Sequence, residues 1–433
     1  APFLRPEGTS PAGNGWIFSI KEEGARRLMA ESQLALRARD MHQERVHLVI
    51  VGFGDQGRAV LLEALLDATA IDLAPPRVTV IDRRAGELAA QFAAQKPRFF
   101  DGSIPAEARP AIEFVAADVG ALDMASDGRL AAIEQAGRPT AYVVCCGEDA
   151  VNLDAGLRLE QAMRRSERLA APVYLALRGA GMRAESPPPR GRAGLLYAFG
   201  SIDAAVAEAR LGADNPDAVA MRLNAAYNTQ AAEVGLIKSH PATPEEAWAG
   251  LSETMRESNR RAVRHARTKL LDLGFRWRSG TTPDLPVIDR ETAARFRRTE
   301  AALDYTGIVD EARVVQPTPE ATLLAKSVLA EHRRWLIDRA MDDWRQLRDG
   351  ERRDNARRIH NNIVPFAALT SENKRFDAMF IRALLAELST GMADGGPASP
   401  RQVAPGFLAG ESSADVLVVP DGTTDVVLGW SSL

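Results

Sequence analysis

Residues 46–66 read VHLVIVGFGDQGRAVLLEALL, and this stretch decides the fold of the N-terminal half of the chain. Its first six residues form a short apolar run of the kind found in buried parallel strands. Gly52, Gly54 and Gly57 follow at the spacing Gly-x-Gly-x-x-Gly, and a helical pattern begins directly after them. A strand, this glycine spacing and a helix, in that order, form the context in which the motif binds a dinucleotide.

Each residue of this glycine loop has a predicted role. Gly52 permits a tight turn, Gly54 lets the backbone approach a pyrophosphate, and Gly57 allows the helix to pack closely on the strand. Asp55 and Gln56 complete the predicted site, where the first-turn amides and the helix dipole face the phosphates. A domain that keeps these glycines for packing alone is the alternative interpretation.

The second strand ends in Asp82, a candidate ribose-binding carboxylate. Asp82 follows Gly57 by 25 residues, slightly more than usual, and we attribute the excess to a loop at Ala74-Pro75-Pro76. A carboxylate here accepts ribose hydroxyls and repels a 2′-phosphate, which favours NAD(H) or an adenine nucleotide over NADP. Arg83 and Arg84 weaken that preference.

The end of the third strand supplies the last residues of the predicted cofactor site. Asp118 and Val119 lie there, where a side chain can reach an adenine edge. For Asp118, ligand binding and an ordinary surface role are equally consistent with the sequence.

Strand and helix patterns alternate from residue 46 to about 212. Six short apolar runs, most of them followed by a helical stretch, predict a doubly wound parallel α/β sheet of the Rossmann type. The runs are Val46–Val51, Val78–Ile81, Ile112–Ala116, Tyr142–Cys146, Val173–Leu177 and Leu195–Phe199. The helical stretches are Ala59–Ala68, Glu87–Ala94, Leu122–Gln135, Val151–Arg165 and Ile202–Ala209.

Length and composition bound the class of protein. The chain has 433 residues, of which 45% are hydrophobic and 26% charged, and this is typical of a globular protein of two or three domains. The formal net charge of −4 gives no basic field for nucleic acid. Cys145 and Cys146 are neighbours and cannot close a loop, which indicates a reducing, cytoplasmic compartment and core packing rather than a redox couple.

The sequence predicts four segments. They are a lead and linker helix (1–44, with an amphipathic pattern over 18–41), the Rossmann domain (45–215), a mainly α-helical region (216–385) and a low-complexity tail with a hairpin around Asp421-Gly422 (386–433). No apolar run of 18 residues occurs. The chain begins with Ala1 rather than Met, as expected of a processed protein or a piece of a longer one.

The sequence lacks the catalytic and phosphate-binding motifs of several common enzyme classes. None of the five Tyr is followed four residues later by Lys, and the motifs GxSxG, HExxH and GK[ST] are absent. We therefore expect binding without catalysis, no metal site, and no NAD-dependent oxidoreductase activity.

The Rossmann segment resembles a known regulatory family. The stretches VHLVIVGFGDQGRAVL (46–61), VIDR (80–83), AADV (116–119) and VVCCGEDAVNLDAGLRL (143–159) look like the TrkA-type (RCK or KTN) nucleotide-binding domain of potassium transporters and channels. The resemblance covers roughly residues 45–180. It implies binding of NAD(H) or adenine nucleotides and a conformational switch rather than catalysis.

The helical region resembles the ryanodine receptor (RyR) repeat domain. The resemblance rests on the motifs at 251–260, 270–275, 332–335, 343–344 and 360–366, and it implies two copies, at 216–277 and 318–385. The first copy departs from the family pattern, because Leu223-Asn224-Ala225-Ala226-Tyr227 stands where the family has a His before an aromatic residue.

The same motifs supply a predicted second ligand pocket. His332, Trp335 and Arg339 share one helix face, and Arg256, Asn259 and Arg260 share another, so aromatic faces and guanidinium groups could stack a base and hold a phosphate. The alternative is that the Trp residues are core and the Arg residues pair with Asp or Glu, such as Glu253 or Glu257. The complete predicted pocket is Tyr227, Arg256, Asn259, Arg260, His332, Trp335, Arg339, Trp344, His360 and Asn362.

Together the two resemblances imply a nucleotide-sensing regulator coupled to potassium or other ion transport. They imply a homodimer or higher homo-oligomer, built partly on the helix at 18–41, and a membrane pore upstream of this chain. A soluble nucleotide-signal receptor in a stress or antiviral defence system is the competing interpretation.

Overall fold

The computed structural model describes residues 19–118, 129–165, 171–179, 196–202, 217–233, 235, 243–274, 290–310, 313–390, 416–420 and 425–429. The sequence of residues 278–290, rich in Gly, Pro and polar residues, also predicts a linker. Residues 278–289 of it, Val119, the Asp421-Gly422 turn and most of the predicted helix at Ile202–Ala209 lie outside the described residues. The helices are α1 (Ile20–Ser32), α2 (Leu34–Asp40), α3 (Asp55–Asp67), α4 (Ala85–Gln95), α5 (Arg129–Gln135), α6 (Asp149–Arg165), α7 (Ala218–Glu233), α8 (Pro244–Ala249), α9 (Glu253–Arg264), α10 (Ala266–Asp272), α11 (Arg290–Ala301), α12 (Pro319–Met341) and α13 (Ser371–Thr390). The strands are β1 (Arg45–Val51), β2 (Ala74–Asp82), β3 (Ala111–Ala116), β4 (Ala141–Val144), β5 (Val173–Ala176), β6 (Leu196–Phe199), β7 (Arg345–Gln346), β8 (Ile359–His360), β9 (Val416–Pro420) and β10 (Asp425–Gly429).

The first six strands form the predicted sheet. Their order is β3-β2-β1-β4-β5-β6, and every neighbouring pair is parallel. Because side chains alternate along a strand, one face of the sheet packs against α1, α3 and α4 while the other packs against α5 and α6. The doubly wound α/β prediction is confirmed. The strand order reverses between β1 and β4, and sheets of this kind bind ligands at that point.

The start of β2 differs from its prediction. Ala74-Pro75-Pro76 belongs to the strand rather than to a loop, and the backbone N–H of Ala74 donates to the carbonyl of Glu44 at 2.8 Å. The register between β1 and β2 is irregular near Arg45, which accommodates the two prolines at the beginning of the strand.

The N-terminal helix pattern is broken into α1 and α2. The break is at Gln33, whose φ of 46° is left-handed and ends α1. Buried residues of α1, such as Ala25 and Leu28, pack in the same core as α3 and the sheet. The apolar side chains of this helix are therefore covered by the chain itself.

Long helical patterns run over Pro244–Leu273 and Pro319–Arg348 in the sequence, and the helices in the structure are shorter than both. The stretch Pro244–Leu273 is three helices, because Thr243 and Ser252 accept hydrogen bonds from backbone amides and start α8 and α9 separately. The pattern over Pro319–Arg348 ends as a helix at Met341, before Asp343 adopts a left-handed φ of 62°.

The α/β sheet and the helical region share one hydrophobic core. Leu336, Ile337 and Met341 of α12 belong to the same cluster as the sheet residues facing α3. The Arg333 guanidinium donates to the carbonyls of Ala70 and Leu73, both at 3.0 Å, in the connection that leads into β2. The described halves are thus joined by apolar packing and by buried hydrogen bonds.

Two further observations, on the C-terminal strands and on the character of the helices, complete the description of the fold. β9 and β10 pair antiparallel, with Pro420 opposite Asp425. No helix in the described ranges combines the length and the apolar character that a membrane span needs.

Candidate functional site

The glycine loop lies at the carboxyl end of β1, beside the end of β4. Gly52 has a left-handed φ of 90°, and a Cβ there would lie 2.7 Å from the carbonyl oxygen of Cys145. A Cβ on Gly57 would lie 2.2 Å from the carbonyl oxygen of Gly52. The fold itself therefore requires glycine at both positions.

Gly54 is different from these two glycines. It precedes α3 with φ −74° and ψ −165°, a conformation open to any residue. A Cβ built on it meets no atom of the described chain within 4 Å. Packing among the described residues thus gives no reason for glycine at this position.

The carboxylate of Asp82 is held against the loop. One oxygen accepts the backbone N–H of Phe53 at 2.9 Å, and the other accepts that of Arg84 at 2.9 Å. Each oxygen keeps a second lone pair, so the carboxylate can still accept a hydroxyl. Arg83 beside it is exposed, and Asp118 is exposed just beyond β3.

Asp55 and Gln56 both contact α1. The exposed Asp55 carboxylate forms an ion pair with Lys21, and this hydrogen bond lowers the pKa of Asp55. Gln56 is buried and donates from Nε2 to the carbonyl of Lys21 at 2.9 Å. Sequence reasoning missed Lys21, since it lies 34 residues before Asp55 and no local motif marks it.

The loop after β4 is fixed by Asn152. Its side chain accepts from the N–H of Cys146 and donates to the carbonyl of Ala176, both at 2.6 Å. Burial raises the pKa of the Cys145 thiol strongly and that of Cys146 to about 11. Both thiols are therefore protonated at neutral pH and poorly suited to redox chemistry.

Arg256, Asn259 and Arg260, which the sequence predicts on one face of a helix, each bond to groups of the protein. Arg256 donates to the carbonyls of Trp248 and Ala249, both at 3.1 Å, and Asn259 donates to the carbonyl of Met255 at 3.0 Å, within its own helix. Arg256 and Arg260 share one partner, because Glu253 lies 3.5 Å from Arg256 and 2.7 Å from Arg260. All three side chains are thus engaged by groups of the protein itself.

Arg260 is held by carboxylates. It donates twice to Asp217, at 2.7 Å each, and its remaining nitrogen contacts Glu253 at 2.7 Å and Glu257 at 3.3 Å. Although burial opposes it, these carboxylates raise the pKa of Arg260. This arrangement favours the structural interpretation of Arg260.

The second half of the predicted pocket does come together. The Arg339 guanidinium lies 5.4 Å from the ring centroid of Trp335 and 5.2 Å from that of Trp344, so it is flanked by both indoles. His360 contacts the same two rings edge-on, at 5.0 and 6.1 Å. We call Trp335, Arg339, Trp344 and His360 the indole cluster.

Two buried donors of the indole cluster have no acceptor among the described residues. They are Nε of Arg339 and Nε1 of Trp344. Burial lowers the pKa of His360 to about 3, and its Nδ1 accepts the N–H of Asn362 at 3.0 Å. The cluster therefore combines two unsatisfied donors with a neutral imidazole.

His332 and Tyr227 border this cluster. His332 lies 3.1 Å from Asp377, and although burial opposes it, that carboxylate raises the pKa of His332. Its other ring nitrogen lies 2.9 Å from the carbonyl of Val364. Tyr227 packs beside Phe376, and burial, followed by the charge of Asp377, raises its pKa. Both residues are thus engaged by neighbouring helices.

Comparison of the chain with protein-family models, curated proteins and solved structures finds no match. The two family resemblances therefore rest on the sequence motifs alone. Within the described residues, no group of three or more His, Cys, Asp or Glu side chains could hold a metal ion.

Proposed function

We propose that this protein is a non-catalytic nucleotide-sensing regulator whose α/β half binds NAD(H) or an adenine nucleotide at the glycine loop. The observation that carries the proposal is Gly54. Gly52 and Gly57 are explained by packing, whereas Gly54 is an ordinary backbone position with open space where a Cβ would point. Close approach of a phosphate group to the backbone supplies the missing reason for glycine.

Asp82 supports the choice of ligand. Its carboxylate is anchored to the loop by Phe53 and Arg84 and lies at the end of the strand next to β1. A ribose with free hydroxyls could donate to it, whereas a 2′-phosphate would be repelled. We therefore propose NAD(H) or an adenine nucleotide rather than NADP.

The groups beside the loop favour binding rather than chemistry. The thiols of Cys145 and Cys146 have raised pKa values because they are buried, so neither supplies a thiolate nucleophile near neutral pH. We propose that the output is a change of conformation, with ion transport as its target because of the TrkA-like motifs at residues 46–159. A signal receptor without a pore is the competing proposal.

The indole cluster is the best remaining candidate for a second ligand. Its support is the pair of buried donors, Arg339 Nε and Trp344 Nε1, which lack acceptors among the described residues. A ligand with acceptor atoms would satisfy them. We accordingly reduce the proposed second pocket to the indole cluster and leave Arg256, Asn259 and Arg260 out of it.

The variant Gly54→Ala tests the main proposal. Its methyl group should meet the phosphate and lower the affinity for NAD⁺ and ADP at least about 10-fold, while the Tm of the free protein stays unchanged. Gly86→Ala is the matched control, since Gly86 is also exposed in a first helical turn with no described atom within 4 Å of its Cβ position. Isothermal titration calorimetry with NAD⁺, NADP⁺ and ADP measures the binding.

Wild-type affinity in Gly54→Ala would remove the basis of the proposal. The proposed homo-oligomer is tested separately by light scattering with and without NAD⁺. A monomer under both conditions at high micromolar concentration would count against it.

A further inference from the structure

One cation beside the glycine loop comes from outside the strand–helix repeat of the sheet. Lys21 lies in the first turn of α1, before β1 begins. Its Nζ lies 2.5 Å from Oδ2 of Asp55, the first residue of α3 and the neighbour of Gly54. The N-terminal helix thus places an ammonium group next to the proposed phosphate position.

We propose that Lys21 is a phosphate-binding residue of the nucleotide site, and that Asp55 holds its ammonium group until a ligand phosphate replaces the carboxylate. This inference rests on the proposed function and deepens it, because it adds a specific residue and a preference for ligands that carry phosphate. None of the sequence motifs includes Lys21.

The Lys21–Asp55 pair is open to exchange. The side chains are 37% and 74% exposed, so solvent screens their attraction and a ligand can reach both. Exposed ion pairs of this kind contribute little to folding stability. A pyrophosphate carries at least two negative charges where the carboxylate carries one, and its oxygens can also accept from the amides at the start of α3.

The backbone that carries Lys21 is fixed, unlike the ion pair itself. Its carbonyl accepts the buried Gln56 side chain at 2.9 Å, and Ser19 caps the start of α1. One turn further on, Gly24 packs so closely on Gly200 that a Cβ would lie 2.9 Å from its Cα. The ammonium group can therefore change partner without any movement of α1.

The cations near Asp55 also support a phosphate-binding role for Lys21. Arg58 and Arg178 lie near enough to Asp55 to add to the lowering of its pKa, after the larger effect of the Lys21 hydrogen bond. Three cations, from α1, from α3 and from the segment after β5, thus act on the carboxylate at the beginning of α3. A polyanionic group is the ligand chemistry that fits this set.

The experiment compares adenosine, ADP and NAD⁺ as ligands of Lys21→Met by calorimetry. We expect the affinity for ADP and NAD⁺ to fall about 10-fold at low salt, since a charge-assisted hydrogen bond is lost, and the affinity for adenosine to stay the same. Asp55→Asn should bind ADP more tightly than the wild type, because it frees Lys21 and removes a negative charge. Lys21→Arg should keep most of the affinity.

Lys326→Met is the matched control. Lys326 forms a similar exposed ion pair with Asp72, at 2.5 Å and with exposures of 24% and 55%, but Asp72 precedes β2 at the opposite end of the sheet from the loop. Wild-type affinity for ADP in Lys21→Met, an equal loss in Lys326→Met, or an equal loss for adenosine would overturn the inference. If the wild-type protein binds none of the three ligands, the proposed function fails, and the role of Lys21 fails with it.

Discussion

Replacing Arg260 by Ala should destabilise the protein, because Arg260 neutralises a nearly buried carboxylate. Its two hydrogen bonds to Asp217 are 2.7 Å long and hold the residue that immediately precedes α7. The side chain of Asp217 is 9% exposed and that of Arg260 is 23% exposed. The variant would leave the Asp217 charge without this partner in a site that water reaches poorly.

The expected loss of folding free energy in Arg260→Ala lies between two known limits. Breaking an exposed ion pair costs less than about 1 kcal/mol, and breaking a fully buried one costs about 3–5 kcal/mol. The intermediate exposure of this pair places the loss at about 2 kcal/mol, or a fall of about 4 °C in Tm for a large domain. The guanidinium also lies 5.8 Å from the Trp248 ring centroid, a contact that adds a smaller term.

Thermal unfolding followed by circular dichroism measures this loss. Arg298→Ala, an exposed arginine of α11, is the control and should stay within about 0.5 kcal/mol of the wild type. The double variant Arg260→Ala/Asp217→Asn should lose less than the sum of its single variants, because the two side chains interact. A wild-type Tm in Arg260→Ala would refute the structural role and return Arg260 to the list of ligand-binding candidates.

Three further predictions follow from the geometry. Gly57→Ala should lower the free energy of unfolding by several kcal/mol, far more than Gly54→Ala, because its Cβ would overlap the carbonyl oxygen of Gly52; equal Tm values would contradict this. Burial raises the pKa of Asp67 to about 7, so its folded state holds a proton that the unfolded state has lost, and stability falls as the pH rises from about 4 to about 7. Asp67→Asn should therefore gain stability relative to the wild type across that window, by up to about 1.4 kcal/mol per pH unit, in urea unfolding at several pH values. Cys146, with a pKa of about 11, should react with iodoacetamide at pH 7.5 much more slowly than the cysteine of a small thiol in solution. Mass spectrometry of the labelled protein would measure this rate.

The α/β half could be predicted from the sequence because its signals are local. The apolar run before Gly52 is long enough to define β1, and the glycine spacing places α3 directly after it. Right-handed crossovers restrict how such strands can be ordered, so alternating strands and helices already favour a doubly wound sheet. The same local logic located Asp82 at the end of β2.

The remaining contacts could not be predicted because they join distant parts of the chain. Helical spacing shows that Arg256 and Arg260 share a face of α9, but it does not show that Asp217, 43 residues before Arg260, faces the latter. The break between α1 and α2 is at Gln33, a residue type that carries no signal for a left-handed conformation. Both features depend on which element packs opposite, and a single sequence does not state that.

The contacts between the sheet and α12 limit which part of this protein could be transferred into a chimeric protein. Arg333 donates hydrogen bonds to the carbonyls of Ala70 and Leu73. Asp272 accepts hydrogen bonds from the Arg39 guanidinium and from the backbone N–H of Ile71. A sheet transplanted without α10 and α12 would keep its glycine loop but would uncover the apolar residues that Leu336 and Ile337 contact. A transferable module therefore has to extend from α1 at least through α12, and a chimera that joins this sheet alone to a foreign effector should be insoluble.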